Sequence, residues 1–101
     1  MIKKSYNKNK SNCKVTFQYS PEESETIETI QVLGNFNLWG DEKKLFLKKR
    51  KDGTFSNSIN LAAQNEYEFR YLINEKTWIT DKDADRCVWN IYGSQNALIE
   101  I

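Results

Sequence analysis

The stretch EYEFRYLINEKTWITD, residues 66 to 81, constrains the fold most, because its apolar side chains recur every second residue. Tyr67, Phe69, Tyr71 and Ile73 fall on one face and Arg70 on the other, the period of a strand with one side against a core. A polar turn at Asn74, Glu75 and Lys76 follows, and then Trp78, where burial is hard to guarantee. GNFNLWG, residues 34 to 40, places Trp39 in a similar turn-rich context.

The same alternation runs through the rest of the chain. Val15, Phe17 and Tyr19 share a face before Pro21, Ile30 and Val32 alternate ahead of Gly34, and Leu45 and Leu47 point one way between lysines. Asp52-Gly53 is a hairpin signal, and Phe55, Ile59 and Leu61 follow it. A short piece around Trp78-Ile79 and a closing run from Ala97 to Ile101 complete about seven strands at roughly 8–12-residue spacing. No helical stripe of useful length is present; Glu22 to Glu28 is too short and ends on β-branched residues. The pattern predicts an all-β, antiparallel β-sandwich with Phe17, Val32, Phe55, Tyr67 and Phe69 in its core. The expected organisation is a basic arm over residues 1–14 and one sandwich domain over residues 15–101.

Chemistry is limited by what 101 residues contain. Fifteen basic and fourteen acidic residues leave a formal charge of +1, so no global field draws the chain to nucleic acid or to a membrane surface. Five lysines before Val15 could touch phosphate, but such an arm is more commonly a solvated end. No run approaches the ~20 apolar residues of a membrane span, and no apolar signal segment follows the first lysines. These features predict a soluble cytoplasmic protein in which Cys13 and Cys87 remain free thiols.

The absence of histidine removes the commonest general base and the hydrolytic triads, and leaves neither cysteine a partner to form its thiolate. Asp81, Asp83 and Asp85 in DKDADR resemble the start of a calcium loop. The required glycine and glutamate are replaced by Arg86 and Tyr92, so the motif fails. No glycine-rich phosphate loop is present, and two cysteines cannot complete a structural zinc site. The expectation is a protein that is not an enzyme, with no metal and no cofactor.

Three segments, VTFQYSPEESETIETIQVLGNFNLWG, DGTFSNSINLAAQNEYEFRYLINEKTWITD and NIYGSQNALIEI, resemble in order and spacing the starch- and glycogen-binding modules of carbohydrate-binding family 48. Those modules include the amino-terminal domain of isoamylases and branching enzymes and the glycogen-binding domain of the AMP-activated kinase beta subunit. The resemblance runs from about Val15 to Ile101. It implies an immunoglobulin-like sandwich that binds α-glucan polysaccharide or maltooligosaccharide without catalysis. It also implies two stacking platforms, Trp39 and Trp78, with Arg70 where the kinase module has lysine. Ser94 matches a hydroxyl position, Asn96 an asparagine that reaches sugar hydroxyls, and Tyr92 a position where the kinase module has leucine.

The departures are a turn before Trp78 that is one residue longer and lacks glycine, an arginine fork in place of a point charge, and Trp89, which has no counterpart. Each tryptophan has a competing reading as core, since a tryptophan in an immunoglobulin-like sandwich is often buried. Asn96 has one as a satisfier of turn backbone. The alternative function is a protein-interaction sandwich that docks a glucan-metabolising enzyme with little or no sugar affinity.

Overall fold

A computed structural model describes residues 1–22, 26–40 and 43–101. Among these residues ten strands run in chain order: β1 (Ile2–Tyr6), β2 (Asn12–Tyr19), β3 (Ile30–Gly34), β4 (Leu45–Phe46), β5 (Lys48–Lys49), β6 (Phe55–Ala62), β7 (Glu66–Ile73), β8 (Thr77–Ile79), β9 (Arg86–Trp89) and β10 (Gln95–Glu100). One 3-10 turn, Leu38–Gly40, is the only helical element among the described residues. The strands form two antiparallel sheets, β1-β2-β6-β5 and β4-β3-β7-β10-β9, with β8 added to β7. No helix among the described residues is long and apolar enough to cross a membrane.

The expected all-β sandwich is therefore the fold, with three strands more than the alternation marked. The segment around Leu45 and Leu47 splits, because β4 pairs with β3 in one sheet and β5 pairs with β6 in the other. The chain changes sheet at Leu47, whose N–H donates to the carbonyl of Ile30 at 2.8 Å. β9 is a short strand on the edge of the second sheet. The third addition is β1, which lies in the segment expected to be a basic arm. Ile2 opposes Phe17 and Tyr6 opposes Cys13, so this segment is an edge strand of the first sheet. Lys4 ties it across the sandwich, donating to Asp85 at 2.6 Å and to the carbonyl of Glu100 at 2.9 Å.

Between the sheets, Phe17, Val32, Phe55 and Phe69 are buried as their spacing predicts. Phe17 and Phe69 meet nearly edge-on with ring centroids 4.9 Å apart, a favoured aromatic geometry. Tyr67 is only half-buried, at the end of β7, where its hydroxyl donates to the carbonyl of Ala62 at 2.9 Å. Asp81 is also buried; it accepts from the Tyr71 hydroxyl at 2.5 Å and from the amine of Met1 at 3.2 Å. The aspartates of DKDADR thus divide among separate duties, Asp81 inside the fold and Asp85 on Lys4.

The pairing of β7 positions the functional surface. Phe69 pairs with both Gly34 and Ala97, and Leu72 with both Gln31 and Trp78. The edge of β7 opposite β3 is therefore shared, with β10 against its first half and β8 against its second. Arg70 sits at the seam where one partner gives way to the other. Because Phe69 and Tyr71 point inward, Glu68, Arg70 and Leu72 point outward, as does Trp78 opposite Leu72.

Candidate functional site

Trp39 is held by the local chemistry of GNFNLWG. An added Cβ at Gly34 would lie 2.4 Å from the carbonyl oxygen of Glu68, so only glycine lets β3 approach β7 there. Asn37, almost wholly buried, accepts from the Gly34 N–H at 3.0 Å and donates to the carbonyl of Val32 at 3.0 Å. This clamp closes the loop, and Leu38 and Trp39 follow with φ of 49° and 54°, then Gly40 with 97°. Two consecutive side-chain-bearing residues in the left-handed region swing the turn back over Leu33 and Gln31. A Cβ on Gly40 would lie 3.0 Å from Leu33. Trp39 is left 39% exposed, so it is not core.

Trp78 is carried by a tight turn of the same kind. Asn74 and Glu75 have φ of 52° and 59°, and the Lys76 N–H donates to the carbonyl of Ile73 at 3.0 Å, the sign pattern of a type I′ hairpin turn. Asn74 tolerates that backbone and also braces the neighbouring loop, accepting from the N–H groups of Glu28 and Thr29 at 2.7 and 3.1 Å. The extra length without glycine therefore does not displace the indole from the sheet face. Trp78 is 43% exposed, and the guanidinium carbon of Arg70 lies 5.3 Å from its ring centroid. That contact is a cation–π pair, which covers one side of the indole.

The two tryptophans line one groove of about 990 Å3 on the outer face of the second sheet. Its volume falls in the ~300–1,000 Å3 range of ligand sites. All six residues named from the sequence, Trp39, Arg70, Trp78, Tyr92, Ser94 and Asn96, line this groove. Four further residues, Glu68, Trp89, Asn90 and Ile91, line it too. Trp89 is exposed, which answers whether it is core.

The hairpin between β9 and β10 forms one wall, and Asn90 shapes it. The Asn90 carboxamide oxygen accepts from the N–H groups of Tyr92 at 2.9 Å and Ser94 at 3.2 Å, so the chain turns around one side chain. Ile91 and Tyr92 at the tip are 91% and 86% exposed. Ser94 accepts from Arg70 at 3.3 Å. Asn96 is only 6% exposed and both ends of its amide are engaged, the oxygen by Asn90 at 3.2 Å and the nitrogen by Glu68 at 3.3 Å. Its place in the groove is the floor.

Glu68 was legible in principle, since it shares the outward parity of Arg70. Asn90 carried no such signal, because its weight lies in contacts that exist only after folding. The lining holds one cation and one carboxylate, so it has no net charge.

Fold and groove together define the class, a β-sandwich domain with an open aromatic groove across one sheet. No protein-family model matches the chain, and no curated protein sequence does. Solved structures do. Ferric enterobactin esterase from Salmonella typhimurium is similar with a TM-score of 0.78 at 12% identity, over 99% of this chain and 34% of that one. Enterobactin esterase from Shigella flexneri, solved with 2,3-dihydroxy-N-benzoyl-glycine, gives 0.74 at 16% identity, over 99% of this chain and 32% of that one. Its structure with the corresponding serine compound also gives 0.74, at 15% identity over the same shares. The chain spans about a third of the length of these proteins, and at such identities the likeness is one of fold.

Proposed function

We propose that this chain binds neutral α-glucan, as glycogen- or starch-like polymer or maltooligosaccharide, and that it does so without catalysis. One observation carries the reading: Trp39 and Trp78, far apart in sequence, are partly exposed on the same groove, around a polar floor of zero net charge. A glucan chain is itself neutral. Its pyranose rings offer an apolar C–H face that a flat indole covers with few rotamers to freeze, while the hydroxyls at the ring edge need polar partners. Arg70 against one side of Trp78 steadies an indole that is still partly exposed to a sugar. A groove lined by one carboxylate, in a chain with no histidine, lacks the paired acid and base of hydrolysis. The reading places the protein in the cytoplasm.

An open groove cannot surround its ligand, so the expected affinity is on the order of 10 μM to 1 mM, about −4 to −7 kcal/mol. Native electrophoresis in gels cast with glycogen tests it. The protein is expected to be retarded by glycogen and not by a non-glucan polysaccharide. Trp78→Ala is expected to lose tenfold or more in affinity, by analogy with the ~1–3 kcal/mol of a base stacked on an aromatic side chain. Equal mobility in both gels overturns the proposal.

A second reading is a docking surface for a glucan-metabolising enzyme. The far-exposed Ile91 and Tyr92 favour it, as does the presence of this fold as one third of larger esterases. Absence of any tryptophan spectral change with maltoheptaose, together with a co-purifying enzyme, would decide for docking.

A further inference from the structure

The floor of the groove is one chain of hydrogen bonds, reciprocal at its middle, where Asn90 Nδ2 also donates to Ser94 Oγ at 2.9 Å. Arg70 Nη1 donates to Ser94 Oγ at 3.3 Å, and Ser94 Oγ donates to Asn90 Oδ1 at 3.3 Å. Asn90 Nδ2 donates to Asn96 Oδ1 at 3.2 Å, and Asn96 Nδ2 donates to Glu68 Oε1 at 3.3 Å. An ionised carboxylate can only accept, which sets the orientation of the Asn96 amide, while the N–H groups of Tyr92 and Ser94 set that of Asn90.

At each end a polar atom is left over. Asn96 engages Oε1 of Glu68, and Oε2 has no hydrogen-bond partner among the described residues. Arg70 makes one side-chain hydrogen bond, through Nη1, so Nη2 has none, and neither has the buried Nε. Both side chains leave the outward face of β7 two residues apart, with Cα atoms roughly 7 Å from each other. Asn96, nearly buried and with each end of its amide engaged, lies beneath Glu68 as its support.

We infer that Glu68 and Arg70 are the pair that reads ligand hydroxyls, Glu68 as acceptor and Arg70 as donor, and that Asn96 is the residue positioning Glu68. This rests on the glucan-binding reading and sharpens it. The aromatic walls accept any ring with an apolar face. The floor selects a neutral sugar with adjacent hydroxyls, one donating to the carboxylate while its neighbour accepts from the guanidinium. A uronic acid ring would bring its own carboxylate against that of Glu68, so acidic glycans are excluded.

Calorimetric titration with maltoheptaose and with an oligogalacturonate of equal length tests this in the full chain. Wild type is expected to bind the first and reject the second. Glu68→Gln keeps the shape and the bond from Asn96 but turns the outer acceptor into a donor. It should weaken maltoheptaose binding about tenfold and narrow the gap to the acidic oligosaccharide. Asn96→Ala should weaken binding in the wild-type background and add little to Glu68→Gln, whereas a merely structural role would add in full. Thermal unfolding checks the fold of each variant. Should Glu68→Gln not fold, Arg70→Gln reads the donor end with the carboxylate intact, and unchanged affinity there sinks the pairing. If wild type binds maltoheptaose and Glu68→Gln binds it equally well, the hydroxyl-reading role is wrong and the tryptophan platforms stand. If Asn96→Ala adds in full, its positioning role is wrong. If wild type binds no glucan, both readings fall together.

Discussion

Replacing Trp39 separately by alanine and by glycine distinguishes what its backbone does from what its indole does. At φ 54°, next to Leu38 at 49°, any residue with a Cβ is in a region that costs L-amino acids roughly 1–2 kcal/mol. Both replacements remove the same indole. A fully buried tryptophan truncated to alanine costs ~3–5 kcal/mol. This one is 39% exposed and leaves no closed cavity, so the loss common to both variants should be about 2 kcal/mol. Alanine keeps the left-handed penalty, whereas glycine escapes it at some cost in unfolded-chain entropy. Trp39→Gly should therefore be about 1 kcal/mol more stable than Trp39→Ala, the reverse of the usual order. In a domain of this size that is ~4–8 °C in melting midpoint.

Glucan affinity should ignore the difference, with both variants losing about tenfold because neither has a platform. Urea midpoints at constant slope read the first quantity. Maltoheptaose titration, followed by the fluorescence of the remaining tryptophans, reads the second. Equal midpoints for the two variants would refute a turn that imposes the left-handed backbone. Affinity close to wild type in either would refute the platform.

Four further outcomes follow from the fold. Burial, and then the negative charge of Asp81, push the Tyr71 phenol well above its ordinary pKa, so it should stay protonated until the protein unfolds in alkaline ultraviolet titration. Tyr71→Phe removes the hydrogen bond to buried Asp81 and should cost about 1.5–3 kcal/mol by urea denaturation, the range for bonds to charged groups; a cost near zero would contradict the buried pair. Burial opposes ionisation of Asp85, but the Glu100 N–H and the Lys4 ammonium outweigh it and hold its carboxyl below the ordinary value of 3.8. A depressed folded pKa means that this contribution is complete above pH 3.8 and is lost as pH falls through the folded value. An NMR titration should show Asp85 moving up in Lys4→Met, and no movement would refute the tie between β1 and the β8–β9 connection. A thiol reagent should modify exposed Cys87 in the native protein and reach buried Cys13 only after unfolding; two equally fast thiols would contradict the burial of Cys13.

Legibility followed the range of the interactions concerned. Alternation over residues 67 to 73 marked β7 because its outward and inward sides see different solvents, and period-2 spacing records that directly. β1 escaped because only Ile2 and Tyr6 carry its inward side, with Lys4 between them. What holds it is register against β2 and an ion pair with Asp85, 81 residues away in sequence. The switch of sheet at Leu47 escaped because two buried leucines two apart look the same whether one strand or two carry them. In the groove, the tryptophans were found through their turns and the resemblance. The network linking Glu68 to Arg70 was not, since each amide in it is polar, common, and specified only by partners from other strands.

The placement of strained backbone bears on why the groove is built from turns. Six described residues other than glycine have positive φ, and four of them, Leu38, Trp39, Asn74 and Glu75, lie in the two turns that carry the groove tryptophans. Asn74 is explained locally, because its side chain braces residues 26 to 29. Leu38, Trp39 and Glu75 have no such local compensation. Yet the chain does place glycine at left-handed positions elsewhere, at Gly53 and Gly93. Strain of ~1–3 kcal/mol per residue persists only where the surroundings over-determine it, as the nearly inaccessible Asn37 does for the turn at Trp39. A backbone held that firmly delivers the indole already oriented. An immobilised side chain otherwise costs ~0.5–1.5 kcal/mol on binding. On the proposed glucan-binding reading, with its modest affinity, a saving of that size at each of the two tryptophans is a large fraction of the total.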